Sequence, residues 1–186
     1  KLLGSHYGNS DSLHDIGRKV NKAMEQSREL CAKLLNVQPT ELIFTSCASE
    51  ANNYAIKGYA LANQRKGKHI ISTMIEHSSV KHSLAQLEEY FGFEVTYIEV
   101  DECGRFNMEQ FKKALRNDTI LVSMMYVNNE TGGILPVEEV SDYVHAHSRA
   151  MMHVDCVQAM GKIPVSLSKF DLATFSAHKI YGLKER

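Results

Sequence analysis

Thr119-Ile120-Leu121-Val122-Ser123-Met124-Met125-Tyr126-Val127 is a strongly apolar run that predicts a buried strand. Polar, turn-forming residues follow it directly, in the order Asn128-Asn129-Glu130-Thr131-Gly132-Gly133. Helical spacing of apolar residues precedes the run over 107–115 and returns over 137–150, where Pro136 marks the helix start. A strand between two helices, all of ordinary length, is typical of βαβ units.

The same alternation extends along the chain in both directions. Periodicity predicts further helices over 14–37, 50–64 and 80–91, and further strands over 42–45, 70–74, 94–98, 151–154 and 172–175. We therefore predict an α/β fold with three layers, in which a mostly parallel sheet carries helices on both faces. Because no linker or low-complexity tract interrupts the pattern, residues 1–186 are predicted to form a single domain.

Composition excludes several functional classes. The net charge of −1 does not favour nucleic acid or a membrane surface as a partner, and no apolar run reaches the roughly 20 residues of a membrane span. The four cysteines lack a C-x-x-C pair, which indicates a reduced compartment, either the cytoplasm or an organelle matrix. No metal is predicted, since His145 and His147 do not share a helix face. The first residues lack a secretory segment and a starting methionine, so we expect a longer parent chain.

Polar clusters follow the predicted strands. In a parallel sheet the ligand site lies outside the carboxyl ends of the strands, so clusters at these positions are expected to meet there. The clusters lie at 46–53, 76–77, 128–130, 155–158 and 176–179. Five clusters at one edge of one sheet predict a functional site.

A lysine and an acid stand out among these clusters. Lys179 lies in Phe175-Ser176-Ala177-His178-Lys179-Ile180-Tyr181-Gly182, and Asp155 ends the strand Met151-Met152-His153-Val154. Pyridoxal 5′-phosphate (PLP) needs a lysine for its Schiff base and a carboxylate that keeps the ring nitrogen protonated. The apolar strand before Lys179 predicts partial burial of the amine. Taken singly, each residue has an ordinary alternative, a surface lysine and a helix-capping aspartate.

The other clusters offer groups for a phosphate and a planar ring. The small-residue turn 45–53 opens a helix, where amides and the Ser49 hydroxyl could hold a phosphate, although Ser49 could simply cap that helix. His77 could stack on a ring or serve only as a capping residue. Gln158 could reach the ring's phenolic oxygen, and both Ser176 and His178 could donate to a phosphate.

Together these segments resemble the class V aminotransferase superfamily, PLP fold type I, and within it the cysteine desulfurases. The elements Asn128-Asn129-Glu130-Thr131-Gly132 and Ser176-Ala177-His178-Lys179 carry most of the specificity. The resembling stretches follow the family's order and span almost the whole chain; they lie at 8–10, 12–14, 44–53, 76–80, 127–132, 153–158, 161–164 and 175–182.

The resemblance implies a role for each candidate residue. Lys179 would bind PLP covalently, Asp155 would pair with the pyridinium nitrogen, and His77 would stack on the ring and act in catalysis with Lys179. Gln158 would contact the phenolic oxygen, and Asn129 would lie between cofactor and substrate carboxylate. The phosphate would be held by Ala48, Ser49, Ser176 and His178.

Three departures from the family pattern involve single residues. Cys47 stands where members usually have glycine, which could tighten the phosphate turn, and Ser49 replaces a usual threonine but keeps the hydroxyl. Ala177 replaces a usual glycine, which is acceptable if its φ is not positive. Further, the family's opening strand, its C-terminal small domain, its persulfide-forming cysteine and the segment that completes the phosphate site across the dimer are expected outside this chain.

The implied activity is desulfuration of L-cysteine to L-alanine, with the sulfur passed as a persulfide to an acceptor protein for iron–sulfur clusters. The implied assembly is a homodimer, with a small amino acid as substrate. Two alternatives stay open: a selenocysteine lyase or other class V PLP enzyme, which uses L-selenocysteine or another substrate, and a non-catalytic scaffold that keeps the fold.

Overall fold

The computed structural model describes residues 9–182, so Gly8 of the first resembling stretch lies outside the described residues. The chain separates into two compact units, Lys1–Phe44 and Thr45–Arg186, and its predicted organisation as one domain stays a prediction. In the first unit, α1 (Asp15–Leu35) begins at His14, whose Nδ1 accepts from the Gly17 N–H at 3.1 Å. It ends at Asn36 in the left-handed conformation, which confirms the predicted helix.

The predicted strand over 42–45 is wrong. Its first residue, Leu42, has extended dihedral angles (φ −96°, ψ 121°), but residues 42–45 join no sheet in the described part of the chain. A strand requires a hydrogen-bonded neighbour as well as an extended backbone. The apolar pattern agrees with the extended backbone of Leu42 but cannot supply the neighbouring strand.

The second unit contains five parallel strands in the order β2-β1-β3-β4-β5. The strands are β1 (His69–Thr73), β2 (Glu94–Ile98), β3 (Thr119–Met125), β4 (Met151–Asp155) and β5 (Leu172–Thr174). The helices are α2 (Ala48–Asn63), α3 (Ser78–Phe91), α4 (Met108–Ala114) and α5 (Val137–His147). Each predicted element of this unit is therefore present, with ends shifted by up to three residues.

Alternate strand residues enter two separate cores, one on each face of the sheet. Ile70 of β1 packs in a cluster with α2 and α3, which includes Ile56 and Leu84. Its neighbour Ile71 packs on the opposite face with α4 and α5, in a cluster that includes Phe111 and Val140. This arrangement confirms the predicted three-layer α/β architecture.

The strand order places a crevice between β1 and β3. The chain passes from β1 to β2 on one side and then crosses to β3 on the other, so connections leave the carboxyl ends of β1 and β3 in opposite directions. Ligands of open parallel sheets bind at this switch point. Among the described helices, none combines the length and apolar character needed to cross a membrane.

Candidate active site

A cavity of about 340 Å³ opens at the carboxyl edge of the sheet. Every predicted site residue except Ser176 lines it, and these residues are Ala48, Ser49, His77, Asn129, Asp155, Gln158, His178 and Lys179. These residues lie at or after the ends of four of the five strands, or at the start of α2. Ala48 and Lys179, the first and last of them, are 131 positions apart in the sequence. The fold thus brings together residues that the sequence keeps apart.

Lys179 lies in the short 3₁₀ turn Ala177–Ile180, just beyond the end of β5. It lines the cavity, but its side chain is exposed, so the predicted partial burial is wrong. The turn lies past the last strand residue at the rim of the sheet, where no described element covers it. The amine is therefore accessible to a ligand from the open side of the cavity.

Asp155 is the last residue of β4 and only 5% exposed. Its Oδ1 accepts from the Val157 N–H at 2.9 Å, and its Oδ2 accepts from Asn52 Nδ2 at 2.9 Å. Burial raises the pKa of this carboxyl, and these hydrogen bonds partly offset the effect. The capping role therefore accounts only for Oδ1 of Asp155. A buried carboxylate on the wall of a cavity is suited to a cationic N–H partner.

His77 has both of its predicted roles available. It is the N-cap of α3, since its Nδ1 accepts from the Ser79 N–H at 3.2 Å. With Nδ1 as acceptor, the neutral ring carries its proton on Nε2. Capping thus fixes the ring by one nitrogen while the side chain lines the cavity.

The start of α2 forms one end of the cavity. Cys47, not Ser49, is the N-cap, because its Sγ accepts from the Glu50 N–H at 3.4 Å. The alternative of Ser49 as cap is therefore wrong, and Ser49 lies in the first turn and lines the cavity. Cys47 has an extended φ of −159°, so its place in the turn does not require glycine. First-turn N–H groups have no intrahelical acceptor and favour an anion.

Ser176 is the one predicted residue that lines a different space. It faces an adjoining cavity of about 90 Å³ together with Thr45, Ser46 and Cys47. His178 lines both cavities, and its Nδ1 lies 2.7 Å from Ser176 Oγ. Ala177 between them is not among the described residues with positive φ, so its replacement of glycine introduces no backbone strain.

The two amides after β3 have separate uses. Asn128 is buried, and its Oδ1 accepts from the backbone N–H groups of Glu130 and Thr131, which makes it a turn-forming residue. Asn129 is exposed and lines the cavity. Gln158 accepts from Lys162 Nζ at 2.8 Å through Oε1, which leaves its amide N–H groups as the donors for a ligand oxygen.

Asn52 and Ser79 also line the cavity and are not among the residues that the sequence predicts for the site. Asn52 shares a buried stripe of α2 with Ile56 and Ala60, at spacings of four residues. An asparagine on an apolar helix face needs buried polar partners, and this was the available signal. Ser79 was visible only as one of two serines after His77.

A family model for aminotransferase class-V matches residues 1–184. The chain belongs to this family. The cysteine desulfurase IscS of Dictyoglomus turgidum is 45% identical over 98% of the chain, and the putative cysteine desulfurase IscS 1 of Bacillus subtilis is 44% identical over 96%. The chain spans 46% and 47% of these relatives, about half of their length.

Solved structures agree with this class V assignment. A NifS-like protein superposes with a TM-score of 0.93 at 42% identity, covering 99% of this chain and 51% of its own. A structure described as SspA in complex with cysteine superposes with a TM-score of 0.90 at 32% identity. The match covers 99% of this chain and 53% of the SspA chain. Class V aminotransferases and cysteine desulfurases depend on PLP, which confirms the cofactor that the resemblance implies.

The residues on the cavity wall fit PLP. An accessible amine at Lys179 and a buried carboxylate at Asp155 face the same space. The first turn of α2 with Ser49 provides donors for a phosphate at one end. A volume of about 340 Å³ is within the range of small-molecule sites.

Proposed function

We propose that this chain is the cofactor-binding portion of a PLP-dependent cysteine desulfurase, which converts L-cysteine to L-alanine and delivers sulfur as an enzyme-bound persulfide. The observation that carries the proposal is that Lys179 and Asp155 line one cavity, together with His77 and the start of α2. Similarity to proteins named cysteine desulfurase supports the substrate. In keeping with the resemblance, the proposal includes a homodimer and a protein that accepts the sulfur for iron–sulfur cluster assembly.

PLP, when bound, supplies an electron-withdrawing ring next to the substrate Cα. Lys179 would hold the cofactor and, once the substrate has taken its place, would accept the Cα proton and return it. Its exposure on the cavity rim suits this exchange, since the amine must move between two positions. Asp155 would keep a proton on the ring nitrogen through a hydrogen bond between opposite charges.

The remaining residues would bind and orient. Ser49 and the first N–H groups of α2 would hold the phosphate, assisted by His178, which lines the same cavity. His77 would cover one face of the ring, and Gln158 would donate to its phenolic oxygen. Asn129, exposed at the cavity mouth, would contact the substrate carboxylate.

We propose that the persulfide-forming cysteine lies outside the described part of the chain. Cys156, although adjacent to Asp155, is fully buried, and burial raises the pKa of its thiol to about 12. A nucleophilic cysteine needs an accessible thiolate, so Cys156 is unsuited to the reaction. Cys47 lines the cavity but caps α2 through its Sγ, the exposed Cys103 does not line the cavity, and Cys31 belongs to the first unit.

A covalent trapping experiment tests the cofactor assignment. The full-length protein is incubated with PLP and reduced with borohydride, and the modified lysine is mapped by mass spectrometry. Modification at Lys179 is expected, with loss of that adduct in Lys179→Arg and its retention in Lys162→Arg. Labelling spread over surface lysines without Lys179 would contradict the proposal.

The substrate is tested separately with the same protein. Incubation with L-cysteine and a thiol reductant should release alanine and sulfide in equal amounts, and Lys179→Arg should release neither above background. A protein that forms the Lys179 adduct but produces no alanine would retain the cofactor assignment and lose the desulfurase assignment.

A further inference from the structure

Asn52 lies at the centre of a buried hydrogen-bond network in the wall of the cavity. Its side chain is 1% exposed in the first half of α2. Its Nδ2 donates to Asp155 Oδ2 and to Ser79 Oγ, each at 2.9 Å, and its Oδ1 accepts from Thr174 Oγ1 at 2.5 Å. One side chain from α2 thus joins the ends of β4 and β5 to the start of α3.

The chemistry of these groups fixes the direction of each bond. A carboxylate only accepts, so the amide nitrogen of Asn52 must face Asp155 and its oxygen must face Thr174. Since Ser79 Oγ accepts from Asn52, its own proton is free for His77 Nδ1, which lies 2.8 Å away. His77 Nδ1 is therefore an acceptor from both the hydroxyl and the backbone N–H of Ser79.

The same logic extends into the sheet. Thr174 donates to Asn52, so its oxygen accepts from His153 Nε2 at 3.2 Å, and His153 Nδ1 then accepts from Ser123 Oγ at 2.9 Å. Burial lowers the pKa of His153 to about 4, which keeps this ring neutral, and the bonds to Ser123 and Thr174 fix its tautomer. The Asn52 relay, defined as Ser123, His153, Thr174, Asn52, Ser79 and His77, therefore has a single consistent orientation of donors.

We propose that Asn52 is a positioning residue that fixes the Asp155 carboxylate for the ring nitrogen of PLP and the His77 imidazole for one face of the ring. The inference rests on the proposed function, because that function assigns PLP to the cavity that both residues line. Asn52 itself need not touch the cofactor ring. Its effect passes through one bond to Asp155 and through Ser79 to His77.

A merely structural role would produce a different result. Asn52 could serve only to satisfy buried polar groups, in which case its loss would lower stability alone. A positioning role also changes the chemistry of Asp155. A hydrogen bond to the charged form favours that form, so removal of the Asn52 amide should raise the pKa of Asp155 further.

The first test uses the full-length apoprotein, in which Asp155 ionisation is followed by carboxyl ¹³C NMR against pH. His77, Glu76 and Cys156 are the neighbouring groups that interact electrostatically with Asp155, and Lys179 and His178 line the same cavity. Asn52→Ala should titrate at higher pH than wild type. Asn63→Ala, which removes an amide at the other end of α2 that bonds to Tyr59 O, should titrate like wild type.

The second test measures the dissociation constant of PLP by titration of the apoprotein. Loss of a hydrogen bond to a charged group predicts a rise of roughly tenfold to hundredfold for Asn52→Ala and none for Asn63→Ala. Thr174→Val removes the hydroxyl that orients Asn52 and should give a smaller rise in the same direction. It also carries the test if Asn52→Ala fails to fold.

The outcomes separate the two proposals. Variants with lowered stability but unchanged PLP affinity and unchanged Asp155 titration would overturn the positioning role. A wild-type protein that does not bind PLP at Lys179 would overturn the proposed function. The apoprotein titration would still decide whether Asn52 controls Asp155.

Discussion

Glu76 ties the end of β1 to the end of β3, since its Oε1 accepts from the Met125 backbone N–H at 2.9 Å. The same oxygen accepts from Thr73 Oγ1 at 2.6 Å. Its other oxygen is buried without a hydrogen-bond partner among the described residues. The hydrogen bond from Met125 to Glu76 links β1 and β3, the two strands whose connections leave in opposite directions. Glu76 therefore stabilises the crevice in which His77 and Asn129 lie.

Glu76→Gln should flatten the pH dependence of stability. Burial raises the pKa of Glu76 to about 8 from a usual 4.5, so the folded state keeps a proton that the unfolded state has lost. The free energy of unfolding then falls as pH rises through this interval, by up to about 1.4 kcal/mol per pH unit. His153, whose pKa is lowered to about 4, acts oppositely below pH 6.5. The effect of Glu76 should therefore be clearest between pH 6.5 and 8.

Urea unfolding of the full-length protein across this interval measures the slope. Wild type and the control Glu109→Gln, which alters an exposed carboxylate, should lose stability as pH rises, whereas Glu76→Gln should lose less. Equal slopes for Glu76→Gln and wild type would mean that Glu76 is ionised in the fold.

Cys103 and Cys156 should differ sharply in reactivity. Cys103 is exposed in the turn after β2, whereas Cys156 is fully buried with its thiol pKa raised to about 12. Only a solvent-accessible thiolate reacts quickly, so iodoacetamide at pH 8 should alkylate Cys103 and spare Cys156 in the native protein. Peptide mass spectrometry before and after denaturation provides the measurement. Native labelling of Cys156 at the rate of Cys103 would show that β4 opens readily.

The sequence predicted most of the fold because periodicity reports burial directly. The alternation of Ile70 and Ile71 between two cores is the local pattern that marks a strand with helices on both faces. The strand over 42–45 failed because pairing depends on a neighbour distant in the chain. The order of the strands in the sheet could not be predicted from the sequence for the same reason.

The candidate site was likewise predictable only where local sequence carries the signal. Residues after strands, such as Lys179 and Asp155, were found because the carboxyl edge is a known place for ligands. The exposure of Lys179 was predicted wrongly, because the solvent exposure of a turn at the sheet rim depends on which other elements cover that turn. Asn52 was missed because its partners, Asp155 and Thr174, are 103 and 122 residues away.

Asp155→Asn should weaken PLP binding without preventing attachment at Lys179. The substitution keeps the shape of the side chain but removes the charge that would pair with the ring N–H. Loss of one charged hydrogen bond predicts a PLP dissociation constant higher by roughly tenfold to hundredfold. Asp142→Asn, which removes an exposed carboxylate paired with Lys169, is the control and should bind normally. Unchanged affinity in Asp155→Asn would remove Asp155 from the cofactor site.

Ser49→Ala should reduce affinity for the phosphate rather than for the ring. Ser49 lies in the first turn of α2 and lines the cavity, where its hydroxyl and the helix N–H groups would together hold the phosphate. The variant should bind PLP about fivefold to tenfold more weakly, as expected for one hydrogen bond of roughly 1 kcal/mol, while pyridoxal, which lacks the phosphate, should bind as it does to wild type. Ser27→Ala, which removes an exposed hydroxyl of α1 that bonds to Ala23 O, should alter neither affinity. Equal weakening of PLP and pyridoxal would place the phosphate elsewhere and leave Ser49 with a role in holding the helix start.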